Sequence, residues 1–319
     1  MNKKIVAVTA AAAVAATVGI GYAVSGNDVP VVYFTKDISP EGLVKAYNAL
    51  NWTPMGKVGI KMSTGESSNT NYLRPELIKE LVAKVDGTIV ECNTAYAGNR
   101  NTSEAHWAEI KKRGFLDIAP VDIMDEEGSM EIPVKDGNIL KENYVGTHFA
   151  NYPSYIVLSH FKGHQMAGFG GALKNISIGF GSSMGKAWIH SGGTSKENPW
   201  GGEQTAFLES MADAGKAVTD YVGRDNLVYI NVLNRISIDC DCNANPAEPD
   251  IHDIGILVST DPVAIDQAGI DMVSVADGNQ KLMERIAARD GLHILEAAEK
   301  IGVGSRKYKL VNLDEQGGK

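Results

Sequence analysis

Apolar positions fall into short runs separated by amphipathic stretches, and the two kinds alternate along most of the chain. Residues 29–34, 57–62, 87–92 and 120–124 are β-branched or aromatic runs of strand length. Between them, residues 40–50, 74–85 and 102–112 carry helical patterns. In the second of these, Leu77, Ile78, Leu81, Val82 and Val85 form one stripe. Ser39 ahead of Pro40 and Glu41 reads as an N-cap followed by proline and an acid in the first turn, and Thr102 reads as the cap of the third helix. Further along, residues 155–158, 226–233, 254–259 and 308–313 predict strands. Residues 203–221, 261–273, 281–288 and 291–301 predict helices. Residues 125–151 predict a hairpin or excursion with Asp136-Gly137 as its turn. This alternation predicts an α/β fold: a mostly parallel sheet flanked by helices, as a single large domain or two intimately packed lobes. No internal repeat or low-complexity linker divides residues 26–319.

Residues 159–190 break the pattern. They hold three of the chain's seven histidines and a dense set of glycines, with Lys162, Lys174 and Lys186 among them. Such residues are poor core material and suit a backbone that passes close to a ligand. In open α/β sheets, ligands gather beyond the C-terminal ends of the strands. Residues 92–106, 160–174 and 240–252 all follow predicted strands, so one edge of the sheet is expected to collect them.

Charge narrows the partners. A formal net charge of −9 over 319 residues argues against nucleic acid or an anionic membrane surface as the main partner and leaves a small-molecule ligand. Residues 1–25 read separately. Lys3 and Lys4 precede an apolar, alanine-rich run, with small residues at Ala23 and Ser25. This predicts a secretory signal and an exported protein, periplasmic or at the cell surface, with an uncleaved N-terminal anchor as the alternative.

His160 and His164 stand four residues apart beside Lys162, and either metal ligation or hydrogen bonding around a tight turn is open to them. Asp239-Cys240-Asp241-Cys242 supplies two thiols that a turn could bring to one transition metal or iron–sulfur centre. In an extended chain, residues i and i+2 lie about 6.5–7 Å apart at Cα, at the limit of disulfide geometry, so the two are poorly placed to bridge each other. A bridge from Cys92 to Cys240 or Cys242 is a further alternative. Acidic flanks raise a free thiol's pKa and disfavour a nucleophilic cysteine.

The glycine-rich run fails both phosphate-loop patterns: the spacing around Gly179, Gly181 and Gly185 is wrong for the Walker loop, and Gly168-Phe169-Gly170 lacks a third glycine of the dinucleotide type. Anion binding by its backbone N–H groups near Lys174 or Lys186 stays open. Arg100 is a candidate carboxylate or phosphate clamp, and His106 stands in the helix after it. Asp261, Asp266 and Asp271 read as structural.

With these residues in view, the chain resembles a family of unknown function, the domain-of-unknown-function family 362, elsewhere described as uncharacterised iron–sulfur centre proteins. The resemblance rests on Ser159-His160-Phe161-Lys162-Gly163-His164, residues 168–175, Gly185-Lys186 through His190, and Asn231-Val232-Leu233-Asn234 with residues 239–242. It continues in Asp253-Ile254-Gly255, in Asp261-Pro262-Val263-Ala264, and in residues 96–100 with His106. Many relatives insert ferredoxin-like cysteine cassettes before the long helix. Residues 192–202 here hold no cysteine, so a ferredoxin four-cysteine cluster is not available.

The expectation is a metal or metal-cofactor site of His160, His164, Cys240 and Cys242, with Lys162, Lys174 and His106 moving protons. Gly168, Gly170, Gly171, Asn175, Lys186 and Arg100 would hold a cofactor or ligand. The second expectation is a non-catalytic protein that holds a small anion on the glycine-rich loop.

Overall fold

The computed structural model describes residues 29–315. The predicted signal, residues 1–25, lies outside them. The elements, in chain order, are β1 (Val31–Thr35), α1 (Pro40–Ala49), β2 (Val58–Lys61), α2 (Pro75–Val85), β3 (Thr88–Glu91), α3 (Ser103–Lys112) and β4 (Val121–Ile123). The hairpin β5 (Ser129–Pro133) and β6 (Glu142–Gly146) follows. Then come β7 (Ser154–His160), β8 (Lys162–His164), β9 (Gly168–Gly170), α4 (Ala172–Lys174) and α5 (Ser183–His190). The rest is α6 (Gln204–Val222), β10 (Leu227–Leu233), β11 (Gly255–Ser259), α7 (Pro262–Ser274), α8 (Gln280–Ala288), α9 (His293–Lys300) and β12 (Lys309–Asn312).

Eight strands form one sheet in the order β12-β1-β11-β10-β7-β2-β3-β4, with β11 alone running against the rest. Every residue of β7 and β10 is buried, because helices cover both faces of a parallel sheet and leave no side for water. Alternate residues feed two cores. Tyr155 and Val157 join the layer that includes α6, α7 and α9; Ile156 and Leu158 join the layer of α1, α2 and α3. The predicted caps form: Ser39 accepts from Gly42 N, Thr102 from Ala105 N, and Asp261 from Val263 N and Ala264 N.

Two features of this topology position the site. From β2 the chain steps outward to β3 and β4, whereas from β7 it steps the other way to β10. The order therefore reverses between β2 and β7, and a crevice opens beyond their C-terminal ends. Residues 159–190 fill it, but not as a loop. β8 and β9 pair as a short antiparallel ribbon, α4 runs into a π-helical turn over Asn175–Gly179, and α5 follows.

Candidate functional site

An inner chamber of about 70 Å³ lies at this reversal. Lys61 reaches it from the end of β2, Glu91 and Cys92 from β3, and Ser159 and His160 from β7. Lys174 and Lys186 come from the glycine-rich segment, and residues 240–242 close one side. An outer cleft of about 570 Å³ shares Tyr96, Lys174, Ile178, Cys240 and Cys242 with the chamber, and His164 and His190 line it. The segments around Arg100, His160 to Lys174, and Cys240 to Cys242 thus meet in space, as their places after strands implied.

Asn175 holds the crevice together. Its Nδ2 donates to the carbonyls of Lys61 (3.1 Å) and Leu158 (3.0 Å), one from each of the two strands that part there. It is a staple between strand ends, which accounts for its place in the segment. Gly168 lines neither cavity and packs against Gly291 and Ile286. Gly170 and Gly171 line the chamber, but the neighbouring backbone N–H groups are taken: Ala172 N and Leu173 N donate to Asp266 (2.7 and 2.8 Å). A Cβ on Gly171 would collide with the Asp266 carboxylate. The expected cradle of free N–H groups is therefore absent at this turn, and Asp266 plays the structural part foreseen for it.

Two buried carboxylates organise the cations. Glu91 accepts from Arg100 Nη1 (3.3 Å), Thr64 Oγ1 (2.8 Å) and His106 Nε2 (2.5 Å). Burial alone would raise its pKa; the Arg100 guanidinium and then His106 outweigh that and hold the carboxyl well below its usual range. Arg100 also pairs with Glu66 (3.3 Å), so this candidate clamp is already engaged by two acids. His106 stands behind Glu91 and lines neither cavity. Asp241 takes the other cations. His160 Nδ1 donates to it at 2.8 Å and Lys162 Nζ lies at 3.0 Å. Against the burial that would raise it, His160 and then Lys162 hold this carboxyl far down.

Lysines without a carboxylate respond oppositely. Burial lowers the pKa of Lys61 to about 8, with Glu91 resisting and Lys186 adding to the fall. Burial and then the charge of Lys162 lower Lys174 to about 7.

The expected metal set is partly assembled. His164, Cys240 and Cys242 bring one ligand atom each to within 4.8 Å of one another. His160 does not join them, because both its ring nitrogens are engaged, Nδ1 with Asp241 and Nε2 with the carbonyl of Asn234 (2.7 Å). Cys240 and Cys242 are joined as a disulfide with Cα atoms 5.2 Å apart. The chain turns at this point, which brings the pair inside disulfide geometry that an extended segment barely reaches. Cys92 is free and buried, so it bridges neither, and burial followed by Asp125 pushes its thiol up to about 12. The acids flanking the pair are also neutralised, Asp241 by His160 and Lys162, with Arg285 Nη1 3.8 Å from Asp239. The electrostatic case against a reactive cysteine here therefore falls away.

Two sulfurs and an imidazole suit a soft or borderline metal. As a disulfide the sulfurs offer no thiolate, so the set fits a metal only after reduction. His164 already turns Nε2 toward Cys242 Sγ, 3.9 Å away.

Fold and site together define a doubly wound α/β protein with a cation-lined cleft at its switch point and a sulfur–imidazole cluster on the rim. A family model described as Domain of unknown function (DUF362) matches residues 58–271, and the chain belongs to that family. No curated protein matches it. Among solved structures, the chain is similar to the lactate racemase apoprotein from Thermoanaerobacterium thermosaccharolyticum, at 15% identity over 76% of this chain and 57% of that one, with a TM-score of 0.44. It is also similar to a crystal structure of a protein from Thermotoga maritima, at 13% identity over 82% of this chain and 58% of that one, with a TM-score of 0.39. This chain thus spans less than two thirds of the length of either.

Sequence reasoning missed Lys61 and gave Glu91, which it grouped with Arg100 and His106, no role of its own. A signal existed: each is a charged residue at the end of an apolar strand, where burial must be compensated.

Proposed function

We propose that the chain is an exported protein that binds one transition metal or metal cofactor at His164, Cys240 and Cys242. It would use that centre for redox or metal-assisted chemistry on a small molecule in the switch-point cleft. One observation carries this reading: three donor atoms of suitable softness lie within 4.8 Å of one another at the rim of the cleft. A metal held there would supply Lewis acidity or electron transfer next to the bound molecule. Lys174, with its pKa lowered to about 7, suits the holding and release of a proton at neutral pH. Lys162 is ion-paired with Asp241, and His106 acts through Glu91 as a positioning residue. The basic and apolar start of the sequence favours export to an oxidising compartment, where a reductant would have to open the Cys240–Cys242 bridge before the metal binds.

Elemental analysis of protein purified anaerobically under reductant, without added metal, tests the reading. About one equivalent of a transition metal per chain is expected. A metal-free protein, or unchanged metal in the double variant Cys240→Ser/Cys242→Ser, contradicts it. A non-catalytic role in holding a small anion is the second reading, favoured by the surplus of lysine over acid in the chamber. Anion binding that persists without any metal-dependent turnover would select it.

A further inference from the structure

Three ammonium groups reach the inner chamber without a carboxylate partner among the described residues. Lys61 is 3% exposed, and its Nζ donates to the carbonyl of Met62 at 2.7 Å. Lys186 is 6% exposed and donates to the carbonyls of Gly181 (2.5 Å) and Cys92 (3.4 Å). The Lys174 ammonium, which lines the chamber, makes no hydrogen bond or ion pair within the described residues. The chamber's two carboxylates are already taken, Glu91 by Arg100 and His106, Asp241 by His160 and Lys162. Buried charge without a counter-charge is costly, and three such groups around one small space repel one another as well.

The glycines serve these lysines. A Cβ on Gly179 would stand 3.1 Å from Lys61 Nζ, and one on Gly170 would stand 3.0 Å from Lys174 Cδ. Side chains there would push the ammonium groups aside. Gly170 and Gly179 thus leave space for lysine stems, whereas Gly171 leaves space for Asp266, which holds the backbone N–H groups of residues 172 and 173.

We propose that the inner chamber seats an oxyanion head group, carboxylate or phosphate, of a small molecule, held by the ammonium groups of Lys61, Lys174 and Lys186. The body of the molecule lies in the outer cleft, past Tyr96 and against the Cys240–Cys242 pair. This deepens the proposed function by naming the substrate class, and rests on it only in taking the cleft as the substrate's place. The dimensions agree: about 70 Å³ admits a head group, and about 570 Å³ admits the remainder. Ammonium groups around one chamber suit an oxyanion of either geometry as point charges, and Arg100, the arginine that lines the chamber among the described residues, is already paired.

The test uses the full chain with its Cys240–Cys242 bridge oxidised and metal removed by chelator, so that the sulfurs offer no thiolate and the metal reading cannot affect the outcome. Sulfate, inorganic phosphate and malonate are titrated by calorimetry at constant ionic strength, with chloride as the control. Saturable binding of at least one is expected. Lys61→Gln or Lys174→Gln weakens it at least about tenfold, the equivalent of about 1.4 kcal/mol. Each variant melts no lower than the parent, since repulsion has been removed. Sulfate or phosphate alone assigns a tetrahedral head group, and malonate alone a carboxylate. No binding beyond chloride, or parental affinity in both lysine variants, overturns the proposal. The metal content of the reduced chain remains a separate measurement, so either reading can fail without the other.

Discussion

Nε2 of His164 faces Cys242 Sγ at 3.9 Å, while Nδ1 of the same ring accepts the backbone N–H groups of Met166 (3.2 Å) and Ala167 (2.9 Å). An unprotonated Nδ1 puts the proton of a neutral imidazole on Nε2, toward the sulfur. Burial and then Lys174 lower this histidine's pKa well below its ordinary value, so the ring is neutral at pH 7. Metal uptake at Nε2 takes the other tautomer, with the ring proton on Nδ1 and the Met166 and Ala167 bonds given up, and the protons released are those of the two thiols. Uptake of Cd²⁺ by reduced protein should therefore strengthen as pH rises from about 6 to about 8 and release protons measurably into weak buffer. A flat pH profile would remove the two thiols from the ligand set.

Thiol counting separates the cysteine arrangements. Unfolded without reductant, the chain should show one reactive thiol, Cys92; after reduction it should show three. Native protein should react far more slowly at Cys92, because the thiol is buried and titrates near 12. Three thiols without reductant would exclude the bridge.

Glu91 is the keystone of one buried ion cluster. Glu91→Gln leaves Arg100 with Glu66 as its remaining ionic partner and takes the counter-charge from His106. Denaturant unfolding should show a loss of about 3 kcal/mol, the scale for removing one partner of a buried pair. A loss under about 1 kcal/mol would mean that water already screens the cluster.

The depressed lysines predict a pH dependence of the same sign as acid denaturation, displaced to neutral and alkaline pH. Lys61 titrates near 8 and Lys174 near 7 in the fold, while an unfolded lysine titrates near 10.4. Between these values the unfolded chain binds more protons, so the lysines' contribution to stability rises with pH from about 7 to about 10. Burial is the main cause of both shifts; the groups that modify it are Glu91, Lys186, Cys92 and Arg100 around Lys61, and Lys162, Asp241, Lys61 and Arg100 around Lys174. Unfolding measurements across that range should show the rise in the parent and its flattening in Lys61→Gln/Lys174→Gln. An equal rise in both proteins would assign it elsewhere.

Much of the fold was legible because parallel strands buried on both faces read as unbroken apolar runs, as residues 155–158 and 226–233 do. Helix starts were legible where a cap and a proline coincide, at Ser39-Pro40 and Asp261-Pro262. The reversal of β11 was not, since an apolar run carries no direction. The site was legible as a set of segments but not as contacts. His160 looked like a metal ligand because its spacing from His164 was visible, whereas its partners Asp241 and Asn234 are more than seventy residues away. Extended geometry leaves Cys240 and Cys242 poorly placed to bridge, and the turn at that point is what brings them within reach. Lys61 drew no notice because what makes it unusual, burial without a carboxylate, is a property of its surroundings.

The most direct test of the sulfur–imidazole centre is a Co²⁺ titration followed by absorbance. Reduced parent protein should develop thiolate-to-cobalt charge-transfer bands that saturate at about one equivalent. The oxidised protein and Cys240→Ser/Cys242→Ser should develop none, and His164→Ala should bind more weakly with altered bands. Identical spectra from the reduced parent and the double cysteine variant would contradict the account.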